Sequence, residues 1–300
     1  MKVTEEEIRP EKIFAEYLEL TNKDVITYFS DSPKKEIPCP ACGGNGKVWA
    51  EKSGFIYKQC DDCITIYVSP RPAREAFDAY YTDSPSTKFW ATTFYKVTEA
   101  ARREKLWKPK AQMIKDTIEQ NQLGTKIQTV VDIGGGYGVF DEELKKIMDI
   151  NAVIIEPSMH LAQICRDKGL TVIEKFMEDL LPGELPDGRK CFVSFELFEH
   201  LYDPELFLNN VYEGMQKDDL FIFTTLSGMG IDIQILGSYA KAISPPHHLN
   251  FLNPKSVSKL LEKVGFEVVA AKTPGKLDMD ILKNNSEFIE NGFWKNYFNY

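Results

Sequence analysis

Thr129-Val130-Val131-Asp132-Ile133-Gly134-Gly135-Gly136-Tyr137-Gly138 reads as a strand that runs into a glycine turn. The apolar run suits a strand buried on both faces of a parallel sheet. Glycines at 134, 136 and 138 let the backbone turn sharply and come close to a ligand. Phe140 to Met148 then reads as a helix. A strand, a loop without side chains and a helix N-terminus together offer backbone amides to the polar part of a nucleotide-like ligand. The dinucleotide fingerprint is G-x-G-x-x-G, whereas this chain has G-x-G-x-G with an acid two positions upstream.

Working outward, Ala152-Val153-Ile154-Ile155-Glu156 reads as the next strand and ends in an acid eighteen residues past Gly138. The glycine spacing and this acid resemble motif I and the following strand of the class I S-adenosylmethionine (SAM) methyltransferases. The resemblance implies a SAM cradle made by Asp132, Gly134, Gly135, Gly136 and Gly138, with Glu156 on the ribose hydroxyls and Pro157 beside it. It also implies a Rossmann-like α/β sheet, mostly parallel, with an antiparallel hairpin at one edge. Ser158 is placed to cap a helix carrying Met159 and His160, and Thr171-Val172-Ile173 reads as the third strand. Met177 and Glu178 follow where such enzymes hold the adenine.

Cys191 to Phe195 reads as the fourth strand and Leu220 to Leu226 as the fifth. Between them, Glu196-Leu197-Phe198-Glu199-His200-Leu201-Tyr202-Asp203-Pro204 resembles the E-x-x-E-H-L-x-D-P segment of many small-molecule methyltransferases. The carboxyl ends of strands border the ligand crevice in open α/β sheets, so Phe195 and Glu196 are expected at the cofactor and Glu199 and His200 near it. Ser227 to Asn253 is longer than the usual connection and reads as a lid or substrate loop. It contains Pro245-Pro246-His247-His248-Leu249-Asn250-Phe251, similar to the H-L-x-F segment of the same enzymes with His248 as the matching histidine. The chain has 4 histidines, and three of them fall in these two loops. Neutral imidazole can take a proton near pH 7, so His248 is the expected proton acceptor, with His200, Glu199 and His247 as its companions. Gly265 to Val269 and Leu277 to Leu282 are expected as the antiparallel edge strands. A terminal helix is expected over residues 284–300, with Ile289, Phe293, Tyr297 and Tyr300 on one face.

Toward the N-terminus, Cys39-Pro40-Ala41-Cys42 and Cys60-Asp61-Asp62-Cys63 form two C-x2-C pairs at a spacing that fits a four-cysteine zinc site. Gly43, Gly44, Asn45 and Gly46 supply the turn of a knuckle, and Lys47 to Lys58 can form the hairpin that carries the second pair. Four thiolates close a tetrahedron, so the zinc is structural. Disulfides are the competing reading, disfavoured in a reducing compartment. Cys165 and Cys191 read as small packing residues. Tyr67-Val68-Ser69-Pro70-Arg71-Pro72 leaves the ribbon extended, and a Tyr80-Tyr81 pair follows. This set resembles the zinc-ribbon-bearing SAM methyltransferases that act on deoxysugars and glycan precursors. One departure is Ile64, which stands where the second knuckle usually has glycine.

Composition sets the remaining bounds. Hydrophobic residues make up 43% of 300, enough for a sizeable core, and 36 basic against 45 acidic residues leave a net charge of -9 that repels polyanions. Neither a signal peptide at Met1-Lys2-Val3-Thr4-Glu5-Glu6-Glu7 nor a membrane-spanning run is expected, and a cytoplasmic location is. Apolar residues among 8–29 suggest one or two amphipathic helices that pack on the rest of the protein. Residues 89–122 read as helices broken near Pro109. The expected segments are N-terminal helices at 1–35, a zinc ribbon at 36–75, a helical cap at 76–124, a SAM-binding core at 125–283 and a C-terminal helix at 284–300. The reading is SAM-dependent methylation of an oxygen or carbon of a sugar or similar small metabolite. Oligomeric state is not legible. A zinc-ribbon RNA methyltransferase lacks its basic stripe here, and a non-catalytic SAM-binding partner protein is disfavoured by the intact glycine loop and Glu156.

Overall fold

The computed structural model describes residues 4–121, 126–181, 183–275 and 277–299. The leader reading at Met1 to Val3, the core boundary at Thr125 and the placement of Tyr300 fall outside these residues. The strands of the first hundred residues are β1 (Lys34–Lys35), β2 (Gly46–Lys52), β3 (Phe55–Cys60), β4 (Ile66–Val68) and β5 (Arg71–Pro72). Those that follow are β6 (Thr129–Ile133), β7 (Asn151–Ile155), β8 (Thr171–Ile173), β9 (Lys190–Phe195), β10 (Leu220–Thr224) and β11 (Asn250–Phe251). The chain forms two compact units.

One unit comprises residues 100–198 and 205–225. Its five-stranded sheet has the order β10-β9-β6-β7-β8, parallel throughout. β6, first in the sequence, lies between β9 and β7, so the strand order reverses at its carboxyl end, where doubly wound sheets bind ligands. Every residue of β6 and β9 is buried, as continuous apolar strands covered on both faces require. Ala111, Ile114 and Ile118 of the helix Lys108–Gln120 and Phe140 and Leu144 of the helix Val139–Ile147 pack with Val130, Cys191, Val193 and Phe195. The break expected near Pro109 is instead a π-helical turn, Arg103–Trp107, directly before a helix that carries Pro109 in its first turn.

The expected antiparallel edge is absent among the described residues. Gly265 ends the helix Pro254–Val264 in the left-handed region, and residues 266–275 form no strand. Their apolar alternation has no ladder partner, and Val269 stays 73% exposed. Asp278 to Leu282 is helical rather than extended, within Asp278–Asn284, and Leu277 is its N-cap. Its buried residues, Ile281 and Leu282, and the acids Asp278 and Asp280 at the N-terminal turn suit a helix and its dipole better than a strand.

The other unit holds residues 1–99, 199–204 and 226–300. Its four-stranded sheet runs β11-β4-β3-β2, and β1 pairs with β5. The β2–β3 hairpin turns at Ser53 and Gly54, both at positive φ, as a two-residue turn with the right twist demands. Phe29, at the end of the helix Glu11–Phe29, packs on Phe55, Phe77 and Tyr80. The stretch expected to be a lid is built into this core. It contains the helix Ile231–Leu236 and β11, whose Asn250 and Phe251 pair with Tyr67 and Ile66. Ile233, Leu236, Ile243, Leu249 and Phe251 are all buried, because the apolar residues that looked like loop contents are core contents. The terminal helix, Gly292–Asn299, turns Trp294 and Phe298 to the core, while Phe293 and Tyr297 face outward.

Candidate active site

In the sheet unit, the glycine loop is held from below. Gly134 N–H donates to the Ile155 carbonyl at 2.8 Å, and Gly138 N–H closes the turn on the Gly135 carbonyl at 2.9 Å. Gly134, Gly136 and Gly138 all have positive φ. A Cβ on Gly135 would stand 2.7 Å from Ile154 and 2.9 Å from Asp132, whereas one on Gly136 would meet nothing within 4 Å. The loop is therefore packed beneath Gly135 and open above Gly136.

Glu156 follows β7 and spans the loop. Its Oε2 accepts from Gly136 N–H at 3.0 Å and its Oε1 from Ser158 N–H at 2.9 Å. Burial lifts its pKa above the usual carboxylate range, while the two amides pull it back. Ser158 caps the next helix as expected, and Pro157 and His160 are exposed. Beneath the loop, Asp132 and Asp141 form a buried carboxyl pair. Burial first, and then the charge of Asp141, raise Asp132 far above its ordinary value, and burial pushes Asp141 up to about 7. Cys165 adds a thiol that donates to the Gly136 carbonyl at 3.1 Å.

The remaining cofactor candidates divide. Met177 is buried, with its methyl group against Gly214, and Glu178 is half-buried in the same 3-10 turn. Phe195 belongs to the core, against Phe140 and Trp107. Glu196 sits at positive φ directly after β9, and Lys110 Nζ reaches its Oε1 at 2.9 Å and Thr224 Oγ1 at 3.1 Å.

In the ribbon unit, the histidine candidates converge. His200 and His248 meet edge to face, with ring centroids 4.7 Å apart, and His247 lies 6.3 Å from His200. Glu199, His200 and His248 each bring a ligand atom within 4.8 Å of the others. His248 Nδ1 lies 2.6 Å from the Ala242 carbonyl. A carbonyl only accepts, so Nδ1 carries the hydrogen and Nε2 keeps its lone pair. Burial, and then the charge of His200, hold His248 well below the ordinary imidazole range, so the ring is neutral. His247 is neutral too, lowered to about 3 by burial. Its Nε2 faces the hydroxyls of Tyr17 and of Tyr80, the latter at 2.8 Å.

The backbone around these residues is fixed by buried partners. Leu249 N–H donates to the Glu199 carbonyl at 2.8 Å, and the Tyr57 hydroxyl to the His248 carbonyl at 2.9 Å. Arg71, from the P-R-P stretch, is 2% exposed and donates to the Tyr202 carbonyl and, at 2.8 Å, to Asn250 Oδ1. It thereby joins the segment after His200 to the segment after His248. Motif reading picked out Tyr80 and Arg71 without their partners and missed Tyr17 and Asp141, which nothing in their own stretches marks.

Cys39, Cys42, Cys60 and Cys63 form the second ligand group, with none in a disulfide. Their sulfurs stand 3.4 to 3.5 Å apart across three of the edges. A tetrahedron with zinc–sulfur bonds of about 2.3 Å has edges of roughly 3.8 Å, so the cluster fits that ion after a small expansion. Ile64 takes the left-handed conformation that glycine would supply, and its N–H donates to the Cys60 carbonyl at 3.1 Å. Asn253 Nδ2 caps the Cys63 carbonyl at 2.8 Å.

A methyltransferase domain family model matches residues 89–271. No curated protein matches the chain in sequence. Among solved structures, DesVI of Streptomyces venezuelae is similar at 18% identity and a TM-score of 0.37 over 43% of this chain and 55% of that one, so the match spans about half of its length. The plantazolicin methyltransferase BpumL, in complex with SAH, is similar at 12% identity and TM-score 0.49 over 70% of this chain and 85% of that one. A possible histamine N-methyltransferase from Thermotoga maritima is similar at 23% identity and TM-score 0.42, over 58% and 80% respectively. No helix among the described residues is long and apolar enough to cross a membrane.

Proposed function

Because the chain belongs to the methyltransferase domain family and is a SAM-dependent methyltransferase, we propose that it methylates an oxygen or carbon of a sugar, nucleotide-sugar or similar small metabolite. The observation that carries the SAM half is the Glu156 carboxylate, held by the amides of Gly136 and Ser158 beside a loop that is open above Gly136. In this reading Glu156 exchanges those amides for the ribose hydroxyls, and Gly134 to Gly138 admit the cofactor close to the backbone. Asp132 packs beneath the loop, 2.9 Å from where a Gly135 Cβ would stand. Glu196 and Lys110 set the polar wall after β9.

SAM supplies an activated methyl group, so the chain must orient two reactants and handle one proton. The acceptor's oxygen or carbon forms the new bond to the methyl carbon as the carbon–sulfur bond breaks, its electron pair staying on sulfur. A hydroxyl is too weak an acid to ionise first, so loss of its proton during bond formation is assisted by the neutral His248 ring through Nε2. His200 and Glu199 orient the acceptor, and His247, occupied by two tyrosines, orients the pair. The four cysteines hold a structural zinc that fixes the ribbon.

The sugar assignment is supported by the resemblance carried by the cysteine knuckles, the P-R-P stretch and the Tyr80-Tyr81 pair, and the E-x-x-E-H-L-x-D-P segment supports a small-molecule acceptor. Calorimetry with SAM tests the first half: the chain is expected to bind SAM, and Glu156→Ala to weaken it clearly. Incubation with methyl-labelled SAM and a panel of nucleotide sugars tests the second, and absence of labelled product across the panel removes the sugar assignment.

A further inference from the structure

We infer that Glu199, His200 and His248 bind a divalent first-row transition cation, and that an oxygen of the acceptor completes its coordination. The ligand atoms of the three already lie within 4.8 Å of one another. Two imidazoles and one carboxylate are a donor set that manganese, iron, cobalt and zinc accept, whereas magnesium and calcium prefer oxygen ligands alone. The hydrogen on His248 Nδ1 goes to the Ala242 carbonyl at 2.6 Å. Metal-ligating imidazoles are held in this way, with the distal hydrogen on a carbonyl and the other nitrogen's lone pair turned to the ion.

The backbones that carry the ligands are immobilised independently. Leu249 N–H joins β11's entry to the Glu199 carbonyl at 2.8 Å, and fully buried Tyr57 holds the His248 carbonyl at 2.9 Å. Arg71 ties the segments that follow His200 and His248 through the Tyr202 carbonyl and Asn250. Such a supporting shell is what keeps a metal site at fixed geometry. His247 is outside the ligand set, since its Nε2 faces Tyr17 and Tyr80. Three protein ligands leave coordination positions open, unlike the closed four-cysteine cluster.

This inference deepens the methyltransferase reading and rests on it for the acceptor, and it changes one assignment. With a cation in place, the His248 lone pair is used on the metal. The acceptor hydroxyl bound to the same cation is made more acidic and releases its proton to solvent. The resulting oxygen forms its bond to the methyl carbon as the carbon–sulfur bond breaks toward sulfur. The acceptor class is then narrowed to hydroxyl-bearing molecules, above all those with two adjacent hydroxyls that can chelate.

The test uses the full chain loaded with a single equivalent of zinc, which four thiolates take in preference to a two-imidazole, one-carboxylate site, and titrates manganese, a poor partner for thiolates, without SAM or acceptor. About one manganese per chain is expected by electron paramagnetic resonance, with ¹⁴N modulation from imidazole in the spin echo of the unaltered protein. His200→Ala and Glu199→Gln are expected to weaken binding at least tenfold. Manganese binding no tighter than about 1 mM, or tight binding without ¹⁴N modulation, overturns the inference. SAM calorimetry on the same sample separates the two readings. If SAM binds and manganese does not, the cation is wrong; if manganese binds and SAM does not, the methyltransferase assignment is.

Discussion

The loop around Gly136 and the group around His248 both prepare a place for a ligand, and they use opposite materials. The loop is almost entirely backbone from one short stretch, supported by Glu156, Asp132, Asp141 and Cys165 from its own unit. The histidine group is almost entirely side chain, with residues 17, 57, 71, 80, 199–200 and 247–248 all contributing. A backbone device is written locally and can be read from spacing. A side-chain device exists only after residues far apart in sequence have met, so its members look ordinary one at a time.

The largest effect that separates the two comes from the cysteine site. Structural zinc sites contribute on the order of 10 kcal/mol or more, comparable to the whole stability of a domain. Cys60→Ser is therefore expected to abolish methyl transfer, because β4 pairs with β11 and Asn253 caps the Cys63 carbonyl directly after the His248 segment. SAM affinity, measured calorimetrically, is expected to stay within about threefold, since the loop belongs to the other unit. Loss of SAM binding in that variant breaks the separation. Elemental analysis of unaltered protein is expected to find about one zinc per chain.

Next in size is His248→Ala, expected to lower single-turnover methyl transfer by about 10²-fold or more at saturating SAM, with SAM affinity unchanged. Unchanged turnover would detach the histidine group from the chemistry. A smaller loss, about tenfold in SAM affinity, is expected for Glu156→Ala, the scale of losing charge-assisted hydrogen bonds. Glycine variants sharpen the point within the loop. Gly136→Val is expected to lower SAM affinity and also the melting temperature, because a β-branched residue is strained at the positive φ of Gly136 even though no protein atom lies within 4 Å of the added Cβ. Gly135→Ala is expected to lower the melting temperature itself, since its Cβ would stand 2.7 Å from Ile154. An unchanged melting temperature for Gly135→Ala would contradict the packing described.

The smallest effect on activity is expected from Asp141→Asn, and its signature is in pH. Burial raises the Asp141 carboxyl to about 7 in the folded chain, against about 3.9 unfolded. Between those values the folded state holds more protons than the unfolded one, so this group's contribution to stability is full below about pH 4 and is lost as pH rises through about 7. In melts without SAM, the asparagine variant is expected to lose less stability than unaltered protein between about pH 5 and pH 8. A parallel pH dependence would place no proton on the pair.

Sequence spacing located the five parallel strands and the four cysteines that converge, because burial on both faces and paired C-x2-C spacing each leave a local pattern. It also put an edge strand at Gly265 to Val269, where alternation was real but the partner strand was missing. It made a lid of Ser227 to Asn253, because length and turn residues carry no information about what β4 needs as a neighbour. Asp141 is an acid in the first turn of a helix, where acids are common, and Tyr17 falls in the amphipathic stripe of residues 8–29. Nothing in either stretch names the distant residue that gives it a role. Arg71, between two prolines, was visible as a motif and silent as to its partners, Tyr202 and Asn250.

The pairing of β11 with β4 has a consequence for how the chain is made. Asn253 reaches Cys63 across 190 positions, and contacts of that range form late because the intervening chain must first be brought into place. While a ribosome is still adding the intervening residues, β4 presents a buried-type edge, Ile66-Tyr67-Val68, with no strand to cover it. Uncovered edges of this kind recruit other chains. The parallel sheet, whose strands all come from residues 129–224, can be complete before the ribbon's last strand has been synthesised. Any aggregation during expression is therefore expected to start from the ribbon, and a nascent chain stalled before residue 250 is expected to be the species most exposed to it.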